Sequence, residues 1–348
     1  MDFLGAAYGQ GVFIICGTGG IVRRSTDGLV FNNTPAGFAS ENVTFARFFN
    51  NTFVVGSTLG TLAYSVNAGA NYSTTDVTGS LTDACFVGGL WVVSGDAGLI
   101  RTSPDLSTWT TRTSEFGASN INALATSGSI AISAGAGGVM ASSADGVTWT
   151  IVPDSSFSGT AINDIAFGLG RWVAVGATGK VATSLDGIAW SQSASPFGSS
   201  DINSAVFFDG LWIICGDGGK VAFSLDGLAW ELLTDSGMGS EDANALAIGL
   251  SRILIAGNAD TAVSHSVLYE NREINLNIDP QVMLDISGNT RTFDMTQKWR
   301  SMGKTGEYNK RVIWRRLGQH RSFTPRIRIS SPVKRAVYTA YAKIVGSK

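Results

Sequence analysis

The sequence is poor in the residues that bind metals, form disulfides or perform nucleophilic catalysis. Three cysteines and two histidines stand in unlike surroundings among 348 residues. They lack the spacing of a zinc site or a disulfide framework, so we predict no metal, no cofactor and no disulfide. No Ser–His–Asp, Cys–His or paired-carboxylate arrangement stands out, so we also predict no catalytic residues and no enzymatic activity. We interpret Cys16, Cys85 and Cys215 as small buried hydrophobes in strands, which fits synthesis in a reducing cytoplasm.

Long apolar runs and proline are also scarce. The first residues, MDFLGAAYGQGVFIICG, have no basic leader, and glycines interrupt their apolar stretch. We therefore predict neither a signal peptide nor a membrane segment. The chain has 7 prolines but 43 glycines, and these glycines stand between alternating apolar segments rather than in a disordered or collagen-like pattern.

A motif recurs seven times at steps of 38 to 41 residues, and it is the strongest signal in the sequence. Its clearest copies are SADGVTW (143–149), SLDGIAW (184–190) and SLDGLAW (224–230). The leading serines of the seven copies are Ser25, Ser65, Ser103, Ser143, Ser184, Ser224 and Ser264. An apolar strand ending in glycine precedes each copy, and another strand and turn come before it. Each repeat therefore predicts four short strands, and the whole predicts an all-β fold with a seven-bladed β-propeller over residues 1–270.

The Asp-Gly pair in four of the seven motifs predicts a hairpin with a type I′ turn, in which both central residues have positive φ. The aromatic residue three positions after the glycine is expected to wedge between neighbouring blades. We assign this structural role to Trp109, Trp149, Trp190 and Trp230. The repeated aspartates could instead be calcium ligands, but single carboxylates at blade spacing lie too far apart to share one ion. GTGG, GAGG and GDGG are interpreted as turns rather than phosphate loops, since no Lys-Ser/Thr follows them.

These motifs resemble the Asp-box hairpins of sialidase-type propellers, with one departure. The Asp box has a residue between its Asp and Gly, whereas the two are adjacent here, for example at 186–187 and 226–227. The propeller also lacks the sialidase Phe-Arg-Ile-Pro motif, so the resemblance concerns the fold and supplies no catalytic residue. Because residues 3–15 already resemble the first two strands of a repeat, no blade built from both chain ends is expected. We expect docking of the downstream domain or of neighbouring subunits to compensate.

Charge divides the chain into two parts of opposite sign. Residues 271–348 carry 16 of the 25 Lys and Arg but only 5 of the 27 Asp and Glu, a balance of +11, which leaves residues 1–270 at -13. Six apolar segments, among them VMLDIS (282–287), RVIWRRL (311–317) and TPRIRIS (324–330), predict further strands. In RIRIS, cations alternate with isoleucine and give one basic and one apolar face. We therefore predict a small basic β module over residues 271–348.

The run from Trp299 to Ile344 resembles the C-terminal segment of packaged-DNA stabilisation and tail hub (nozzle) proteins of short-tailed phages. The shared pattern comprises Trp299, Met302-Gly303, Gly306-Glu307-Tyr308, Arg311 to Gly318, Arg321 to Arg328 and Ser331-Pro332-Val333. Upstream, DISGNTRTF (285–293) is similar to the family's Ser-Asp-Asp-Gly-Gly-Arg-Thr-Trp stretch, with both of its first aspartates and one glycine lost.

The resemblance implies a structural protein of the virion tail, made in the host cytoplasm. Such proteins form a ring below the portal, continue the DNA channel and retain packaged DNA, and the resemblance implies six copies. The expected partners are a portal or adaptor protein, other tail proteins and, transiently, packaged DNA. We assign the partner or DNA contacts to Arg311, Arg315, Arg316, Arg321, Arg326 and Arg328, and a place in the module's core to Trp314.

Two alternatives stay open at this point. In the first alternative, the basic strands are solvated by water and have no partner. In the second, the protein is a propeller that binds carbohydrate or another host-surface component through long outer loops such as SQSASPFGSSD (191–201).

Overall fold

The computed structural model describes residues 1–250, 252–266, 281–287, 298–301 and 324–329. The chain divides into two compact units, Met1–Ser266 and Val267–Lys348. The described part of the first unit consists of seven antiparallel sheets, here called blades 1 to 7 in chain order. The first strands of successive blades lie beside one another, and that of blade 7 lies beside that of blade 1. The predicted seven-bladed propeller and all-β class are thereby confirmed.

Blades 1 to 6 have four strands each, and the described part of blade 7 has three. The strands of blades 1 to 3 are β1 (Phe3–Gly9), β2 (Val12–Gly17), β3 (Ile21–Ser25), β4 (Asn32–Asn33), β5 (Val43–Phe49), β6 (Thr52–Ser57), β7 (Thr61–Ser65), β8 (Ser73–Asp76), β9 (Leu81–Val87), β10 (Leu90–Gly95), β11 (Ile100–Ser103) and β12 (Thr110–Arg112). Those of blades 4 to 7 are β13 (Ile121–Thr126), β14 (Ala131–Gly135), β15 (Met140–Ser143), β16 (Thr150–Ile151), β17 (Ile162–Gly168), β18 (Arg171–Gly176), β19 (Val181–Ser184), β20 (Ser191–Ser193), β21 (Ile202–Phe208), β22 (Leu211–Gly216), β23 (Val221–Ser224), β24 (Glu231–Leu232), β25 (Ala243–Gly249), β26 (Arg252–Gly257) and β27 (Ala262–Ser266).

In five blades a short 3₁₀ turn joins the second strand to the third. These turns are Thr18–Gly20, Asp96–Gly98, Ala136–Gly138, Ala177–Gly179 and Asp217–Gly219. They contain the GTGG, GAGG and GDGG sequences, so the interpretation of those sequences as turns is confirmed. The residues predicted to supply a fourth strand of blade 7 lie outside the described residues.

The loop between the third and fourth strands corrects the predicted type I′ turn. In blade 5, φ is positive at Gly187 (79°) but not at Asp186. The Asp186 carboxylate instead accepts hydrogen bonds from the N–H groups of Ile188 and Ala189, at 2.8 and 2.9 Å, while the Ser184 hydroxyl accepts one from the N–H of Gly187. The loop is longer than a two-residue turn. Because side chains supply its hydrogen-bond acceptors, Asp186 needs no positive φ.

In six of the seven blades, a polar side chain near the start of the first strand donates a hydrogen bond to the next blade. The amide of Asn163, the second residue of β17, donates to the carbonyl of Ile202, the first residue of β21, at 3.0 Å. Each first strand has a β-bulge at this second residue, and a bulge redirects the side chain away from the regular ladder. The side chains that donate in this way are Thr44, Thr82, Asn122, Asn163, Asn203 and Asn244. In blade 1 this position is occupied by Leu4, whose side chain has no hydrogen-bond donor.

We expect Asn163→Ala to lower the free energy of unfolding by about 1–3 kcal/mol, because the buried carbonyl of Ile202 loses its donor from the neighbouring blade. Chemical denaturation of the full chain measures this change. The exposed Asn32 is the control, since its replacement by alanine should change stability by less than about 0.5 kcal/mol. Equal effects of the two substitutions would show that the inter-blade hydrogen bond adds nothing.

The ring closes between blade 7 and blade 1 through polar contacts and an apolar cluster. Asn244 donates to the carbonyl of Phe3 at 2.9 Å, and the Asp2 carboxylate accepts from the N–H of Ala259 at 3.1 Å. Arg23 forms an ion pair with Asp260 at 2.8 Å. An apolar cluster that includes Phe3, Phe13, Ile15, Leu254 and Ala256 fills the junction. As expected, no described blade contains strands from both ends of the chain. The ring is instead closed by these contacts, all of which lie within residues 1–266.

Candidate functional site

The four repeated tryptophans lie between neighbouring blades. Trp149 belongs to the cluster between blades 3 and 4, and Trp190 to the cluster between blades 4 and 5. Trp109 and Trp230 are half-buried against the clusters of blades 2–3 and 5–6. The indole N–H of Trp190 donates to the carbonyl of Gly187 at 3.1 Å, and that of Trp149 to Gly146 at 3.2 Å. Their contribution to stability remains a prediction.

The turn aspartates accept hydrogen bonds from the backbone of their own loops. Hydrogen bonds from the N–H groups of Leu29 and Val30, and from the Ser25 hydroxyl, lower the pKa of Asp27 to about 2. Equivalent bonds lower the pKa of Asp105, Asp145, Asp186 and Asp226. These carboxylates therefore remain charged well below neutral pH, and the stabilisation that they give is lost only as pH falls below the ordinary aspartate pKa of about 4. The predicted role in turn stabilisation is confirmed.

Three charged side chains from three blades meet where the first strands surround the ring axis. We call Arg47, Asp83 and Asp164 the axial cluster; they lie on β5, β9 and β17. The guanidinium of Arg47 binds Asp83 through two nitrogens, with Nε–Oδ1 at 2.7 Å and Nη2–Oδ2 at 3.0 Å. Its Nη2 also lies 3.6 Å from Oδ1 of Asp164. One cation therefore serves two carboxylates.

Both carboxylates of the axial cluster also accept bonds from the backbone of the following blade. Oδ2 of Asp83 accepts from the N–H of Leu124 at 2.8 Å, and Oδ2 of Asp164 accepts from the N–H of Ala205 at 2.9 Å. Each carboxylate also accepts from the N–H of the residue after it. The axial cluster therefore links blades 2 to 6.

Burial dominates the electrostatics of the axial cluster. The side chains of Asp83 and Asp164 are 1% and 9% exposed, whereas that of Arg47 is 28% exposed. Burial raises the pKa of both carboxyls, and the charge of Arg47 opposes the rise. Burial also raises the pKa of the thiols of Cys16, Cys85 and Cys215, which are free and buried as the sequence predicts.

In the second unit, three described strands form one antiparallel sheet. The strands are β28 (Gln281–Ser287), β29 (Lys298–Ser301) and β30 (Thr324–Ile329), and β28 is central. β28 and β30 agree with the sequence prediction, whereas β29 was not predicted. The basic residues Arg326 and Arg328 lie on β30 opposite Asp285 and Met283, and Met283 also pairs with Trp299.

The register of this sheet alternates along β30. Ile327 and Ile329 pair with Leu284 and Val282, whereas Arg326 and Arg328 pair with Asp285 and Met283. The strand predicted for RIRIS is confirmed, and its basic and apolar faces remain a prediction. The other predicted contact residues, Arg311, Arg315, Arg316 and Arg321, lie outside the described residues, as does Trp314.

A family model matches most of the second unit. Residues 265–345 match the family described as Bacteriophage P22 Gp10, beta-sandwich. This match confirms the resemblance of the C-terminal segment to a phage tail protein, and it assigns a β-sandwich to the region predicted as a basic β module. It covers the basic stretch and all six arginines named as contacts.

Solved structures that resemble the chain share the propeller. YCF48 bound to a D1 peptide has 14% sequence identity and a TM-score of 0.62, over 76% of this chain and 91% of that one. YCF48 from Cyanidioschyzon merolae has 16% identity and a TM-score of 0.60, over 76% and 94%. Virginiamycin B lyase from Staphylococcus aureus has 9% identity and a TM-score of 0.66, over 75% and 93%. At these identities the likeness concerns the fold alone. No curated protein matches the sequence.

The axial cluster was not predicted from the sequence, although the sequence contains a signal for it. The first strands of blades 3 and 5 read LTDA and INDI, whereas the same stretch in blade 4 reads INAL. An aspartate within an apolar, repeated strand calls for a buried partner. The partner was not identifiable from the sequence, because Arg47 comes from a different blade.

Within the described ranges, no group of three His, Cys, Asp or Glu residues has the geometry to hold a metal ion. The same ranges contain no helix long and apolar enough to cross a membrane.

Proposed function

We propose that this chain is a non-enzymatic structural component of a phage tail, a hub (nozzle) or head-completion protein. In this proposal it docks below the portal or adaptor, continues the DNA channel as a ring, and helps to retain packaged DNA. The match of residues 265–345 to the P22 Gp10 β-sandwich family carries the proposal. The six-copy ring rests on the same resemblance.

The charge distribution supports a contact made by the second unit. The balance of +11 in residues 271–348 favours an acidic partner, either a carboxylate-rich protein surface or DNA phosphates. Arg326 and Arg328 alternate with Ile327 and Ile329 along β30. Guanidinium groups bind carboxylates and phosphates in a bidentate manner. Protein docking is the main contact in our proposal, because a channel that releases DNA quickly should not bind phosphates tightly along its length.

The test is the double variant Arg315→Glu and Arg328→Glu in the complete chain within phage particles. We expect a folded propeller with loss of incorporation into the tail or leakage of packaged DNA, measured by mass spectrometry of tail fractions and by nuclease-protected DNA. The control replaces the exposed propeller residues Thr110, Thr150, Ser191 and Thr234 by glutamate, which gives the same change in net charge. Normal incorporation and DNA retention in the double variant would remove these arginines from the mechanism.

Salt dependence of binding by the purified full chain separates the two partners. Binding to DNA should weaken with a slope of about -0.9 per phosphate neutralised when log affinity is plotted against log salt. Binding to a portal or adaptor through a partly apolar interface should weaken much less. Specific glycan binding by the chain, together with normal particle assembly in its absence, would instead favour the host-surface function.

A further inference from the structure

The axial cluster has one positive and two negative side chains in a buried site. Asp83 is held by two nitrogens of Arg47, whereas Asp164 lies 3.6 Å from one of them. If both carboxylates are ionised, the site carries a net charge of -1 that water solvates poorly. Uptake of one proton makes it neutral.

Geometry favours Asp164 as the residue that takes the proton. Its Oδ2 lies 2.9 Å from the Ser204 hydroxyl, which donates to the ionised carboxylate. A hydroxyl rotates and also accepts hydrogen bonds, so Ser204 can accept one from the O–H of a neutral Asp164 carboxyl. Asp83 has no such neighbour among its described contacts, which are all N–H donors.

We propose that the axial cluster is a proton-binding site, in which Asp164 gains a proton on mild acidification and the propeller becomes more stable. The proton adds to a carboxylate oxygen of Asp164, and the resulting O–H donates a hydrogen bond to the Ser204 hydroxyl. Arg47 stays bound to Asp83. The bonds that link blades 2 to 6 are thus kept without the cost of an unpaired buried anion.

The sign of the effect follows from linkage. A carboxyl that binds its proton more tightly in the folded chain than in the unfolded chain makes stability fall as pH rises. Its stabilising effect is fully present below the pKa of the carboxyl in the unfolded chain, about 4. The effect is lost as pH rises through the pKa of the carboxyl in the folded chain. The turn aspartates act in the opposite direction and only below about pH 4, so they do not mask the effect between pH 5 and neutrality.

Among the described residues, few other titratable groups face the site. The thiols of Cys16, Cys85 and Cys215 interact electrostatically with members of the axial cluster. Burial raises the pKa of all three thiols, so they stay neutral in this range. The guanidinium stays charged.

The test compares thermal unfolding of the full chain at about pH 7.5 and about pH 5. The unchanged protein should melt at a higher temperature at the lower pH. Asp164→Asn should lose this difference, whatever its own melting temperature. Arg47→Gln leaves two carboxylates without a cation, so it should melt lowest at neutral pH and gain more than the unchanged protein on acidification.

Asp201→Asn is the matched control, since Asp201 caps the N–H of Thr178 outside the axial cluster. It should keep the pH dependence of the unchanged protein. A melting temperature of the unchanged protein that is equal at both pH values, or that falls at pH 5, would overturn the proposal. So would a pH difference that persists in Asp164→Asn.

Discussion

Replacement of Asp83 by alanine is expected to lower the free energy of unfolding of the propeller by about 3–5 kcal/mol at neutral pH. The substitution removes the bidentate partner of Arg47, and it takes an acceptor from the N–H groups of Ala84 and Leu124. The cost is large because two backbone donors in a poorly solvated site lose their acceptor, and Arg47 keeps only its 3.6 Å contact with Asp164. Denaturant unfolding of the full chain, followed by tryptophan fluorescence, measures it.

Asp96→Ala is the control for this prediction, because Asp96 lies in the same blade and is exposed. Its replacement should change stability by no more than about 0.5 kcal/mol. If Asp83→Ala cost as little as Asp96→Ala, the ion pair with Arg47 would contribute nothing to the folded protein.

Truncation of Trp190 to alanine is expected to cost about 3–5 kcal/mol. Trp190 is 7% exposed and fills the space between blades 4 and 5, together with Ile132, Ile165 and Trp172. Its removal leaves a cavity that the two sheets cannot close, since each sheet is rigid and the other residues packed between them hold them apart. The substitution also removes the hydrogen bond from the indole to Gly187.

Leu185→Ala is the control, because Leu185 belongs to the same turn and is 69% exposed. It should leave stability within about 0.5 kcal/mol of the unchanged protein. A Trp190→Ala variant that kept its thermal stability but lost the binding of a ligand would contradict a structural role for this residue.

The sequence by itself determined the architecture of the first unit and the family resemblance of the second. A period of about 40 residues with alternating apolar positions is a local property, and each repeat forms its own sheet. The number of repeats therefore gave the number of blades, and the aromatic residue at a fixed place in each motif indicated where blades meet. In the same way, RVIWRRL and its flanking motifs are continuous in the chain, so the resemblance to phage tail proteins could be recognised without a structure.

Only the tertiary structure decided the loop geometry, the closure of the ring and the axial cluster. An Asp-Gly pair is compatible with several turns, and the bonds from Asp186 and Ser184 select one of them. Closure depends on Asp2 and Asn244, which are distant in sequence and meet their partners only once seven blades have packed. Arg47 meets Asp164 for the same reason. The blades that carry them are not consecutive, and a repeat pattern describes each blade and its neighbour but not contacts across the axis.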